Sequence, residues 1–427
     1  MIVIQVTGTS SLLIAESVLG SSGVISYVST ATTTTGTTTI TSSTTTSYST
    51  TITSTTTATS GTTTITDPLT TRPLHVEGNK IKNDLGQIVY LRGVNRPWFY
   101  DDPSGCWGGW GVYYQSAVER ILSRMQYYGI NCLRCHFTVE WWINNPTCTT
   151  EQGSMTCRQI LDDLLTRCAN HGIYLVLDTY SVTTTFVDYP YPTTLIPNAD
   201  AFANYVAENV DVLGSHTNLI IEPYNEPWTV TGWQSQSRLN EWQTVWQNVI
   251  NAVRAVENSK GYVHHLIMVS GPGGTLGYWG TLTDNWMNLN WLASNPFSGD
   301  NLVLTIHCYR YWGSVGLQTP ISSRPTDYTE IKNIYIAESL YYYSQYYPIY
   351  IGEIGGYTTI SGEDTWLTNT LQILNEWGIG YSYYAWRDDA DWQGTGLSML
   401  VVNSEATTGG TVNSYGQILV NAIGQGG

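Results

Sequence analysis

From about residue 89 onward, short apolar runs alternate with longer amphipathic stretches, and this constrains the fold more than anything else in the chain. The apolar runs are Val89–Asn95, Asn131–Phe137, Tyr174–Asp178, Leu219–Asn225, His265–Ser270, Leu302–Tyr309, Ile349–Glu353 and Gly380–Trp386. Each is short enough for a strand and too apolar for one exposed on a face, as in a parallel sheet covered by helices. Between them, Gln115–Tyr128, Arg158–Asn170, Ala201–Leu213, Leu239–Glu257, Tyr328–Tyr343 and Trp366–Trp377 carry helical periodicity. Eight such strands with helical stretches among them predict an α/β chain closed as a (β/α)8 barrel with enlarged loops. The rival, a doubly wound open sheet, lacks its Gly-rich phosphate fingerprint after the first strand. Ahead of the first run, His75–Ile81 and the following Asn83-Asp-Leu-Gly86 read as a tight hairpin able to plug the bottom of the barrel.

The N-terminal part has a different character. The first basic residue in the chain is Arg72. Residues 1–28 are mildly apolar with Glu16 as their one charge, and read as a degenerate signal or a truncated segment. Residues 29–72 are mostly Thr and Ser, with too little apolar surface to offset chain entropy. They read as a linker or stalk, with a Thr-rich strand as the alternative. Residues 73–427 are expected to form one folded domain, and a tethering linker implies an extracellular setting.

A net charge of −16 argues against nucleic acid or an anionic membrane as partner. The chain has 17 Trp and 31 Tyr against 5 Phe, which suits a neutral, hydroxyl-rich ligand whose C–H faces stack on rings. Cys132 and Cys135 lie three apart on one strand and point to opposite faces, so no metal site is expected there. Cys148 and Cys157 flank a polar loop and are expected to close it as a disulfide, two thiols being the alternative.

Barrels of this kind place their active sites at the C-terminal ends of the strands. Strand two carries Arg134 and His136 there, strand four ends in Tyr224-Asn-Glu-Pro227, strand six in His307-Cys-Tyr309, strand seven in Gly352-Glu353 and strand eight in Trp386. Two carboxylates facing each other across a barrel mouth suit glycosidic bond cleavage, where one is protonated to donate and the other ionised to attack.

With Ile221-Glu-Pro-Tyr-Asn-Glu-Pro-Trp228, Ile351-Gly-Glu-Ile-Gly355, Leu91-Arg-Gly-Val-Asn95, Arg134, His307-x-Tyr309 and Trp386 in this order, the chain resembles glycoside hydrolase family 5 over about residues 74 to 424. The resemblance implies a retaining mechanism with Glu226 as general acid/base and Glu353 as nucleophile. It implies that Asn225 hydrogen-bonds the sugar 2-hydroxyl and that Arg134 and Tyr309 orient Glu353. His307 would lie beside the same sugar, with Trp386 as its stacking floor. His136, Tyr180 and Trp228 complete the expected substrate contacts. Tyr180 departs from the pattern, since family members often carry His two residues after the strand-three Asp. Trp98, Trp107, Trp110, Trp141, Trp142, Trp228, Trp279 and Trp312 are candidate cleft aromatics. The implied activity is a cofactor-free endo-β-1,4-glucanase acting on β-glucan as a monomeric catalytic domain. β-Mannanase or another β-glycanase is the near alternative, and a non-catalytic carbohydrate-binding protein the distant one.

Overall fold

Period-two alternation on the short apolar runs gives each strand one side facing the barrel interior and one facing the helices. A computed structural model describes residues 3–6, 38–41, 71–96, 112–180, 199–225, 236–276, 295–310, 325–337, 340–358, 360–388, 397–401 and 404–425. In it, eight parallel strands close into a barrel: Arg92–Asn95, Cys132–Thr138, Tyr174–Tyr180, Leu219–Glu222, Leu266–Leu276, Leu302–Tyr309, Ile349–Gly355 and Gly380–Tyr383. Strand eight pairs with strand one, Tyr381 opposite Arg92, and this completes the ring. The expected fold is therefore present: a (β/α)8 barrel.

Helices Gln115–Tyr127, Cys157–Asn170, Ala199–Leu213, Gln236–Lys260, Tyr328–Ala337 and Glu363–Trp377 lie between consecutive strands. Cys157–Asn170 starts with a capping box, in which Thr156 accepts from the Gln159 amide and Gln159 accepts from the Thr156 amide. Its Ile160, Leu161, Leu164, Leu165 and Cys168 are buried, a helical stripe set against the sheet's outer side. Among the described residues no helix is long and apolar enough to cross a membrane.

The expected hairpin pairs Leu74–Glu77 with Lys80–Asn83, turning through Gly78 at φ +61. Its Leu74 and Ile81 join Leu91, Cys132, Val176, Ile220, Met268, Val303 and Tyr350 in one buried cluster. The Val76 amide donates to Asn301 Oδ1 at 2.8 Å, just ahead of strand six. The hairpin therefore closes the N-terminal end of the barrel and leaves the opposite end for a site.

The chain divides into two compact units, Met1–Ile65 and Thr66–Gly427. In the first, Val3–Val6 pairs antiparallel with Thr38–Thr41 of the Thr/Ser-rich stretch. The expected disulfide is not formed. The ladder of Thr147–Thr150 with Gly153–Thr156 sets Cys148 opposite Met155, whereas Cys157 opens the following helix.

Candidate active site

Two residues beyond the apolar layer at the barrel floor, the same inward positions turn polar. Cys132 is followed by Arg134, Val176 by Asp178, Ile220 by Glu222, Met268 by Ser270 and Val303 by Thr305, and all five polar residues are buried. Strand seven breaks the rule at Gly352. Ile306 pairs with Ile351 but His307 pairs with Glu353, so Gly352 is an extra residue that shifts Glu353 in register. A Cβ at Gly352 would lie 3.0 Å from both His307 Nε2 and Thr305 Oγ1, so a larger residue there would crowd the two buried side chains of strand six.

Glu353 is buried, and each of its carboxylate oxygens accepts a hydrogen bond. Arg134 Nη1 donates to Oε1 at 2.9 Å and the Tyr309 hydroxyl donates to Oε2 at 2.7 Å. Burial, with the neighbouring Glu353 charge adding to it, keeps Tyr309 protonated far up the pH scale, so the phenol remains a donor. His307 Nδ1 lies 3.6 Å from Oε2. Burial pulls the His307 pKa down to about 4 against the opposing pull of Glu353, so the imidazole is neutral at ordinary pH. His136 Nε2 lies 3.5 Å from Oε1.

Arg134 is the hub of the polar layer. Beyond Glu353, it donates to both oxygens of Glu222 at 2.6 and 2.9 Å, to Asn225 Oδ1 at 2.9 Å and to Asn95 Oδ1 at 2.9 Å. Asp178 Oδ2 lies 3.2 Å from its Nη2. Burial works against the Arg134 charge, but Asp178, Glu222 and Glu353 more than offset it and hold the guanidinium protonated. For Glu222, burial raises the pKa; Arg134 opposes the rise and Asp178 adds to it. Asn95 also donates to the Gly352 carbonyl at 2.9 Å, tying strand one to strand seven beside Glu353.

Of the expected site residues, Arg134, His136, Asn225, His307, Tyr309 and Glu353 thus come together. Glu226 and Trp228 lie outside the described residues, as do the side chain of Tyr180 and Trp98, Trp107, Trp110, Trp279 and Trp312. Trp386 is corrected. It is fully buried, 6.3 Å ring to ring from Tyr128 and packed on Gly410, in the apolar core rather than the mouth. Strand eight ends at Tyr383, so strand alternation does not carry on to residue 386. Tyr384 is the aromatic on the site side instead, its ring 6.2 Å from that of His136 and clustered with Tyr309 and Tyr357. Trp142 is fully buried, with Arg158 over its ring at 4.6 Å, so it is not a cleft wall, and Trp141 is nearly fully buried. Two carboxylates of the site, Asp178 and Glu222, went unread in the sequence. The signal was there, since both occupy inward strand positions two beyond an apolar core residue.

The family model of cellulase, glycosyl hydrolase family 5, matches residues 86–390. Among solved structures, an endocellulase from the archaeon Pyrococcus horikoshii is similar over 83% of this chain and 99% of its own, at 19% identity and a TM-score of 0.63. The catalytic domain of the major endoglucanase of Xanthomonas campestris matches over 82% and 99%, at 20% identity and a TM-score of 0.60. The catalytic domain of a mannanase from Streptomyces sp. SirexAA-E matches over 82% and 90%, at 18% identity and a TM-score of 0.53. At such identities these likenesses speak for the fold. No curated protein matches the chain.

Proposed function

The chain belongs to glycoside hydrolase family 5, and on that premise we propose that it cleaves β-1,4-glucan internally, by a retaining double displacement with Glu353 as nucleophile and Glu226 as acid/base. The observation that carries this is the setting of Glu353, with both oxygens held by Arg134 and Tyr309 at the mouth of the barrel. Asn225, held by the same guanidinium, immediately precedes Glu226 in the chain.

In the first step Glu226 protonates the glycosidic oxygen while a Glu353 oxygen attacks the anomeric carbon. The bond to the leaving sugar breaks, and an ester to Glu353 forms. In the second step Glu226 takes a proton from water, which attacks the same carbon and releases Glu353. Two inversions leave the configuration unchanged. Arg134 and Tyr309 fix the attacking oxygen before the sugar arrives, so little reorganisation is needed at the transition state. Tyr384 supplies the stacking face beside it.

Glucan is favoured over mannan by the cellulase family model and by the endocellulase and endoglucanase neighbours. The mannanase neighbour makes mannan the comparison to run. Initial rates of reducing-end release should give a kcat/KM on soluble β-1,4-glucan at least about tenfold above that on β-mannan, a difference of about 1.4 kcal/mol. The reverse order would make the enzyme a mannanase on the same catalytic pair. The Thr/Ser-rich stretch ahead of the barrel supports an enzyme tethered outside the cell.

A further inference from the structure

We propose that Asp178, acting through His136, and Glu222 are positioning residues that hold Arg134 in the orientation in which it meets both Glu353 and Asn225. This rests on the reading of Glu353 as nucleophile.

A guanidinium has five N–H donors in one plane and no acceptor. Glu222 takes two of them side by side, from Nε at 2.6 Å and Nη2 at 2.9 Å, a two-point contact that fixes the plane. The second Nη2 hydrogen then points at Asn225 Oδ1. Nη1 faces Glu353 Oε1 and Asn95 Oδ1, both at 2.9 Å, and His136 Nε2 at 3.2 Å. Nη1 has two hydrogens to share among these three acceptors and no lone pair for an Nε2–H to meet, so the imidazole proton is better placed on Nδ1. That nitrogen is paired with Asp178 Oδ2, so Asp178 selects the tautomer, as a carboxylate behind an imidazole generally does. In the other tautomer an Nε2–H would face Nη1, donor against donor, and drive the guanidinium away from Glu353. Arg134 and Asp178 are fully buried, as is Glu222, and His136 nearly so, which leaves little water to substitute for a lost contact. Glu222 thus sets the plane and Asp178 sets the donor–acceptor sense of the neighbouring imidazole. Glu222 reaches the nucleophile only through Arg134, and Asp178 only through His136, which faces both Arg134 and, at 3.5 Å, Glu353 Oε1.

The test uses the full chain as wild type, Glu222→Gln, Asp178→Asn and Glu353→Ala. Kinetics are measured on aryl β-cellobiosides with good and poor leaving groups, folding by near-ultraviolet circular dichroism, and the His136 tautomer by nitrogen-15 NMR. Both amide variants should lose about 10- to 100-fold in kcat, with KM within about threefold. The loss should be equal for good and poor leaving groups, because the proton donor is untouched. Wild-type His136 should carry its proton on Nδ1, and Asp178→Asn should move it to Nε2. A folded Glu222→Gln enzyme with kcat within twofold of wild type would overturn the proposal, as would wild-type His136 protonated on Nε2. Should an amide variant fail to fold, the wild-type tautomer decides. If Glu353→Ala keeps full turnover, the catalytic reading itself falls; if it is dead while folded Glu222→Gln is fully active, only the positioning role falls.

Discussion

Tyr384 is 8% exposed on the site side of the barrel mouth, and Trp386, two residues on, has no exposed surface. The two substitutions should therefore fail in different ways. Tyr384→Ala should lower kcat/KM on cello-oligosaccharides by about tenfold in protein that is still folded, in line with the loss of one aromatic stacking contact, on top of a stability cost from its packing against Tyr309 and Tyr357. Trp386→Ala should cost about 3–5 kcal/mol of stability, because it empties a large buried volume. Trp386→Ala enzyme with wild-type stability and a large loss of substrate affinity would restore the tryptophan as the stacking floor. At this scale the sequence was legible wherever a residue sat inside a strand. Arg134, His307, Tyr309 and Glu353 could be placed from their strand positions alone. Trp386 could not, because strand eight stops at Tyr383 and the chain beyond it follows its own course. Asp178 and Glu222 are legible only from the inward register they share with Val176 and Ile220, two positions earlier, and not from any motif of their own.

At the scale of elements, inward strand positions alternate with outward ones, so an apolar floor and a polar layer follow from the same spacing. The floor is completed by the hairpin, whose Ile81 is 8% exposed in the cluster with Leu91, Val176 and Tyr350. Ile81→Ala should destabilise the protein by about 2–5 kcal/mol, read from denaturant unfolding. Its kcat at 25 °C should stay within about twofold of wild type, because the hairpin closes the end away from the site. Lost activity at unchanged stability would mean that the floor and the mouth are coupled. The hairpin was legible because Gly78-Asn79 between two strand-like runs leaves few other conformations. The glycine insertion at residue 352 was not. A register shift depends on which residues stand opposite on strand six, and one strand read alone does not contain that.

At the scale of the molecule, closure of the barrel turns scattered strand ends into one site. Arg134 and Glu353, 219 positions apart in the chain, meet at 2.9 Å. Burying Asp178, Glu222 and Glu353 around one arginine is costly unless each is paired and hydrogen-bonded. A cluster whose charge is offset mainly by one guanidinium is what a site kept for chemistry, rather than for stability, would retain. The barrel's identity and order were readable from periodicity, while the mutual geometry of the carboxylates required the closed fold. Glu353 is the residue proposed to form the covalent intermediate. The most direct measurement is to trap that intermediate with an activated 2-deoxy-2-fluoro-β-cellobioside, which slows the second displacement, and to locate the sugar by peptide mass spectrometry. One fluorocellobiosyl group per chain, esterified to Glu353, is the expected result. A label on any other residue, or an unlabelled enzyme that releases product of inverted configuration from its natural substrate, would contradict it.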